Sequence, residues 1–369
     1  MSRIPPMFLA MVLPILLAAD WPVFRGNAAM TGVGETEIKG ELTVAWTFKT
    51  GNAIDGAPAI VGDTVFIASS DKHLYAVDLK TGQQKWKTSL GSPVRAAPGV
   101  KDGRVYVGDV DGKFHAVDAA TGKIVWSFAA NQEIVSGCNF FENSILFGAN
   151  DGSLYCLTKD GIQDWVFSIE QPINGSPAVS DGMSFVAGCD EILHVVDLKT
   201  GKEVGQLPIG GPAGSTAAVS GKSVYVGTMA NQVIAIDLTK PAAPVKQWTF
   251  EATKRQQPFY SSAAVTDSLV LIGSRDKRLY AMDRKTGAEV WSFPSDGMVD
   301  GSAVVVGTMV YFGCLSNDGN FYALDLKTGR KVQEMNLDST VTGSPAVGPG
   351  CLFVGTEKGT LYCLKGSAK

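Results

Sequence analysis

Short apolar runs recur along this chain between turns built from Gly, Asp and Thr, and the whole pattern returns about every forty residues. Each return opens on an apolar residue: Ile54, Val94, Ile134, Ile173, Ala213, Phe259, Val299 and Val341. The first unit holds a small-residue segment (54–60), an apolar run (65–68), a turn, a second run (74–78), a Lys-Thr-Gly turn (80–82) and a stretch closing on Trp86. Runs rich in Val, Ile, Tyr and Phe between such turns are strands, so each unit predicts four. The third strand ends twenty-four residues after the opening residue, at Asp78, Asp118, Thr158, Asp197, Asp237, Asp283 and Lys365, with Asp325 two residues late in unit seven. Eight residues before the openings stand Trp46, Trp86, Trp126, Trp165, Gly205, Trp291 and Gln333, with Trp248 displaced by an insertion. A flat ring at this slot can bridge the widening gap between outer strands while its N–H finds an acceptor.

Trp46 precedes the first unit, whereas the eighth unit stops at Leu364 and Lys365 without a fourth strand. Residues 43–48 therefore supply the missing strand and close a ring, which hides the sheet edges an open array would leave. The expected fold is all-β: an eight-bladed propeller of four-stranded blades over residues 43–369, closed by an N-terminal strand completing the last blade, with almost no helix. Blades packed on both faces call for strands apolar on both sides, and Leu279-Tyr280-Ala281-Met282 reads that way. Gly56-Ala57, Gly175-Ser176 and Gly343-Ser344 suit the crowded inner strands. The segment 20–42, with Trp21, Phe24 and Arg25, is expected to pack on the ring.

The motif Ala-x-Asp-x-x-Thr-Gly-x-x-x-Trp stands at Ala76–Trp86, Ala116–Trp126 and Ala281–Trp291, with partial copies at Val195, Ala235 and Ala323. In this the chain resembles the PQQ-like (pyrroloquinoline-quinone repeat) beta-propellers over about residues 43–365. That repeat builds both quinoprotein dehydrogenases and the non-enzymatic BamB-type outer-membrane assembly lipoproteins, so fold alone does not choose a function. The dehydrogenase likeness implies a calcium ion held by carboxylate and amide groups against the quinone, an Asp base and, in many members, two adjacent cysteines. The chain has no adjacent cysteines and no long excursions from its blades. Asp55, Asn174 and Asp300 could be imagined around a metal, but no motif places them there. No catalytic, cofactor-binding or metal residue is carried over, and no cofactor is expected, PQQ with calcium being the alternative.

A net charge of −4 argues against nucleic-acid binding, which needs clustered Lys and Arg. Arg3 precedes the apolar run 7–19, too short to span a bilayer and ending in Leu17-Ala18-Ala19; this reads as a signal peptide over 1–19 and a periplasmic or secreted protein. Of six cysteines, only Cys351 and Cys363 lie on adjacent strands of one blade, and buried free thiols are expected. His115 and His194 sit where other units carry Tyr75, Tyr155 or Tyr280 and read as packing residues, while His73 is expected alone in a turn. Gly221-Lys222-Ser223 reads as a hairpin turn.

The residues just after each opening vary while the scaffold repeats: Asp55, Arg95, Val135, Asn174, Gly214, Tyr260, Asp300 and Thr342. Variation on a constant frame is where binding resides, on the face where ligands usually meet a propeller. The longer stretch 251–258, with Lys254 and Arg255 ahead of Tyr260, is a candidate partner contact. The expectation is a monomeric exported scaffold for protein partners in the envelope; the alternatives are a quinoprotein dehydrogenase oxidising alcohols or sugars, and a polysaccharide-binding surface protein.

Overall fold

A computed structural model describes residues 20–252 and 255–367. The expected signal peptide and Lys254 lie outside the described residues. Among these there is no helix; the strands form eight sheets arranged as the blades of a ring. Blade 1, for example, runs through Ala59–Val61, Thr64–Ser69, His73–Asp78 and Gln84–Ser89, innermost to outermost, each antiparallel to the next. No helix of the described residues is long and apolar enough to cross a membrane.

Ring closure occurs where the chain ends predict it. Leu42–Lys49 pairs antiparallel with Thr360–Gly366 and becomes the outermost strand of blade 8. Strand apolarity is more graded than the sequence suggests. The second and third strands are almost wholly buried, as in Thr64–Ser69, but the outermost strands alternate between exposed and half-buried positions, as in Gln84–Ser89 and Ile124–Ala129. The reason is geometric: blades splay apart with distance from the axis, so outer strands meet a neighbour on one face only.

The tryptophan slot ties each outer strand to the next blade. Trp46, Trp86, Trp126, Trp165, Trp248 and Trp291 donate their indole N–H to the carbonyls of Leu79, Ala119, Lys159, Leu198, Arg284 and Leu326, all at 2.9–3.2 Å. Each ring covers the glycine of the neighbouring turn, Thr-Gly in five cases and Asp160-Gly161 under Trp126; at Gly82, which has φ 73°, a Cβ would lie 2.7 Å from the Trp46 ring. Only glycine meets both demands without strain. At the two slots lacking Trp, backbone takes over. A Cβ on Gly205 would meet the Pro241 carbonyl, and Gln333 exchanges two hydrogen bonds with the backbone of Leu42, 2.7 and 2.8 Å.

The slot on the third strands holds Tyr or His in every blade but the fifth, which has Ile234. Tyr75 and Tyr155 donate to Asp71 and Asp151, while His194 and His115 meet Asp190 and Asp109. His73 is not alone in a turn: it opens the third strand of blade 1, with Nδ1 2.8 Å from the Asp71 carbonyl oxygen. Gly221 does sit in a hairpin, between Ala218–Ser220 and Ser223–Gly227. All six cysteines are free.

Candidate functional site

The ring axis holds the site, in layers set by the position of each residue within its unit. The residues following the eight openings converge: Asp55, Arg95, Val135, Asn174, Gly214, Tyr260, Asp300 and Thr342 all line one central cavity of about 180 Å³. The openings themselves are fully buried and fix this layer by anchoring it in the core between blades. Five of the seven partner residues proposed from sequence are thus brought together. Arg255 is exposed and does not line the cavity, and Lys254 lies outside the described residues.

Two residues further along each unit lies a circlet of hydroxyls. The backbone N–H of Gly137 donates to Ser176 Oγ, Ser176 N–H to Thr216 Oγ1, Thr216 N–H to Ser262 Oγ, Ser262 N–H to Ser302 Oγ and Ser302 N–H to Ser344 Oγ, at 2.8–3.0 Å. The chain of bonds satisfies buried amides that face the axis and have no strand partner there. It starts at the Gly137 amide and ends at the Ser344 hydroxyl because Ala57, Ala97 and Gly137, at this position in blades 1 to 3, have no hydroxyl to accept from the preceding blade. The sequence displayed these residues, but their small size alone was read, as a response to crowding.

The charged groups at the mouth are partly spoken for. Arg275 grips Asp300 with Nε and Nη2, the Nη2–Oδ2 contact being 2.8 Å, and its guanidinium lies 3.8 Å over the Tyr260 ring. The Asp300 carboxylate raises the Arg275 pKa further. Arg275 follows the second strand of blade 6, and nothing in its local sequence marked it. Asp55 accepts from Ser70 at 2.8 Å, with Thr342 at 3.5 Å; the Asn174 amide lies against Cys189 Sγ. Arg95 is exposed on the rim.

The floor comes from an unexpected use of segment 20–36. It packs on the ring by threading the axis, and it visits every inner strand. Trp21 exchanges backbone hydrogen bonds with Ile60; Val100, Val179, Val219, Val265 and Val305 donate their N–H to Pro22, Ala28, Ala29, Thr31 and Gly32. Asn139 in blade 3 reaches Ala28 with its side chain, and Thr36 donates to Gly348 in blade 8. Val33–Gly34 adds a fifth, parallel strand to blade 7. Phe24 lines the cavity from below. Arg25, fully buried, donates Nη2 to the Ala263 and Ala303 carbonyls and has no carboxylate partner, so burial pushes its pKa down to about 9.

These residues do not fit a calcium-held quinone. Asp300 is held by the Arg275 fork, and Asp55 and Asn174 bind different neighbours. Among the described residues no three His, Cys, Asp or Glu side chains converge on a metal position. A cavity of about 180 Å³ is also smaller than the roughly 300–1,000 Å³ typical of pockets for drug-sized molecules.

Comparison with known proteins gives three results. A family profile described as "Outer membrane protein assembly factor BamB" matches residues 41–144, 115–240 and 245–333. A protein of that name from Burkholderia pseudomallei (strain K96243) is 27% identical over 292 residues, 74% of this chain and 66% of that relative, slightly under two thirds of its length. Among solved structures, BamB from Moraxella catarrhalis superposes with a TM-score of 0.74 at 20% identity, covering 88% of this chain and 97% of that one. The quinohemoprotein alcohol dehydrogenase from Comamonas testosteroni superposes with 0.78 at 16% identity, covering 95% and 81%. At such identities the structural likeness is one of fold.

Proposed function

Because the chain belongs to the PQQ-like propeller family described as outer membrane protein assembly factor BamB, we propose that it is a non-enzymatic envelope scaffold that binds protein partners in outer-membrane protein assembly through the mouth of its ring. The observation that carries this reading is the blind mouth: the variable residues of all eight units meet there, above a floor closed by the chain's own segment 20–36. A shallow polar depression ringed by Arg95, Asp55, Asn174 and Tyr260 suits a protein surface that covers it, with the aromatic and arginine groups as anchors. Exposed Arg255, in the stretch that follows blade 5, extends the same contact outward, and its sequence neighbour Lys254 is the second cation proposed for it. The chain acts as an exported, periplasmic or secreted, monomer, without a cofactor.

A photo-crosslinking residue at Arg95 or Tyr260, in the full chain expressed in its own host, tests the proposal. Adducts with a component of outer-membrane protein assembly are expected from these positions and not from Lys123, on the outer turn of blade 2. Crosslinks from Lys123 alone, or a mouth that captures no envelope protein, would overturn it.

A further inference from the structure

Blade 2 carries a constellation that no other blade has. The third strand of that blade, Lys113–Asp118, places His115 at the slot where most blades have tyrosine, and the outermost strand, Ile124–Ala129, places Ser127 directly opposite it. His115 Nδ1 lies 2.8 Å from Ser127 Oγ, and its Nε2 lies 3.1 Å from Asp109 Oδ2. Asp109 is fully buried, and its other oxygen accepts the backbone N–H groups of Asp111 and Lys113 at 3.0 and 2.9 Å. The carboxylate is thus fixed as an acceptor, so Nε2 carries the imidazole proton and Nδ1 is left as the acceptor for the Ser127 hydroxyl. The imidazole is 3% exposed, while Ser127 is exposed. A buried acid orients a buried base, and the base holds the proton of an accessible hydroxyl, which is the arrangement that activates a serine.

The other slots lack one member or another. His194 in blade 4 is opposite Gln206, and both its ring nitrogens face carboxylates, Asp190 and Glu203. Tyr75 is opposite Lys87 and Tyr155 is opposite Val166. The strand bearing Ser127 also ends its sheet, having a neighbour on one side only, so the backbone N–H groups along its outer edge have no strand partner and can donate to an oxyanion formed beside the hydroxyl.

We propose that Ser127 is an acyl-accepting nucleophile, a covalent modification site for activated esters with His115 as its base. In the reaction Ser127 Oγ attacks the acyl carbon while its proton passes to His115 Nδ1. The new Oγ–acyl bond forms, the bond from the acyl carbon to the leaving oxygen breaks, and the proton moves from Nδ1 to that oxygen, releasing the alcohol. The product is an acyl-serine on the propeller's outer edge.

The test treats the full exported chain with p-nitrophenyl acetate and, separately, a fluorophosphonate, followed by intact mass and peptide mapping. One adduct on Ser127 is expected, absent in Ser127→Ala. In His115→Tyr, which restores the residue other blades use, labelling should slow by about 100-fold or more, the lower end of what a general base supplies, at an unchanged melting temperature. Ser168, exposed on the outermost strand of blade 3 and opposite Ser153 rather than a histidine, is the internal control and needs no variant. Equal labelling of Ser127 and Ser168, no adduct on Ser127, or a folded His115→Tyr chain labelled as fast as its parent would each overturn the proposal.

Discussion

Arg25 is the most costly side chain in the ring, and its replacement by Met should stabilise the protein. The guanidinium is fully buried, bonds only through Nη2, and leaves Nε and Nη1 without partners. Desolvation lowers its pKa to about 9, which at 1.36 kcal/mol per pKa unit corresponds to about 5 kcal/mol against the buried cation. Met has a similar reach and no charge, but it would leave the Ala263 and Ala303 carbonyls without this donor, at about 1 kcal/mol each. Arg25→Met should therefore be more stable by about 3 kcal/mol at pH 7, or about 4 °C in Tm for a chain of this length. The pH dependence separates this account from a simple packing gain. Above pH 9 the folded chain gives up the Arg25 proton while the unfolded chain keeps it, so the unfolded state binds more protons and the parent's stability rises with pH. The penalty is complete below pH 9 and is relieved above it, so the variant's advantage should shrink to about 1 kcal/mol by pH 10.5. Urea titrations of both chains at pH 7 and 10.5 read the difference directly and cancel the titration of every other group. A variant less stable than its parent at pH 7, or an advantage independent of pH, would refute the claim that this cation is uncompensated.

Gly82→Ala should cost about 2–4 kcal/mol in urea titration, since the substitution forces a left-handed backbone on a side chain and drives its Cβ into the Trp46 ring; a near-neutral change would mean that the turn relaxes freely. All six thiols are free in the structure, with Cys351 and Cys363 on neighbouring strands close enough that each thiol shifts the other's pKa; six should titrate in denaturant, and a count of four after export would mean that this pair had oxidised. In the native chain at pH 8, half-buried Cys189 should alkylate before Cys138, whose thiol burial pushes up to about 12; the reverse order would contradict the burial assigned to them. Calorimetric titration with pyrroloquinoline quinone should give the same negligible heat with and without calcium, and tight calcium-dependent binding would return the dehydrogenase reading.

The ring was legible in the sequence because its determinants are local and repeated. The strand runs, the Thr-Gly turns and the tryptophan eight residues before each opening can be counted without knowing what touches what, and Trp46 then implied the closure that Leu42–Lys49 makes. The mouth was legible for the same reason: a fixed register carries Asp55, Arg95, Asn174, Tyr260 and Asp300 to one layer. What escaped was everything that depends on the axis as a shared space. Segment 20–36 has no repeat and no strand period, since its contacts step from one blade to the next. Arg275 belongs to an ordinary turn and acquires its role only when Asp300 of the next unit arrives beside it. The pairing of His115 with Ser127 was also out of reach, because it depends on a cross-strand register shifted by a bulge between Ile124 and Trp126.

The two closures of the ring are covalently one. The thread along the axis and the strand that completes blade 8 both lie within residues 20–49, and together they contact all eight blades. Neither can form from the N-terminal half alone, since the partner of Leu42–Lys49 is Thr360–Gly366 and the amides that hold the thread are spread from Ile60 to Val305. Such contacts of long sequence separation are slow to form, because loop entropy must be lost before they reward it. The N-terminal segment can therefore dock fully only onto a ring whose other strands are in place. Until it does, the axis is open at both ends; once it has, Phe24 and Arg25 close one end and leave the mouth as the single entrance to the variable residues. Completion of the fold and definition of the binding face are the same event.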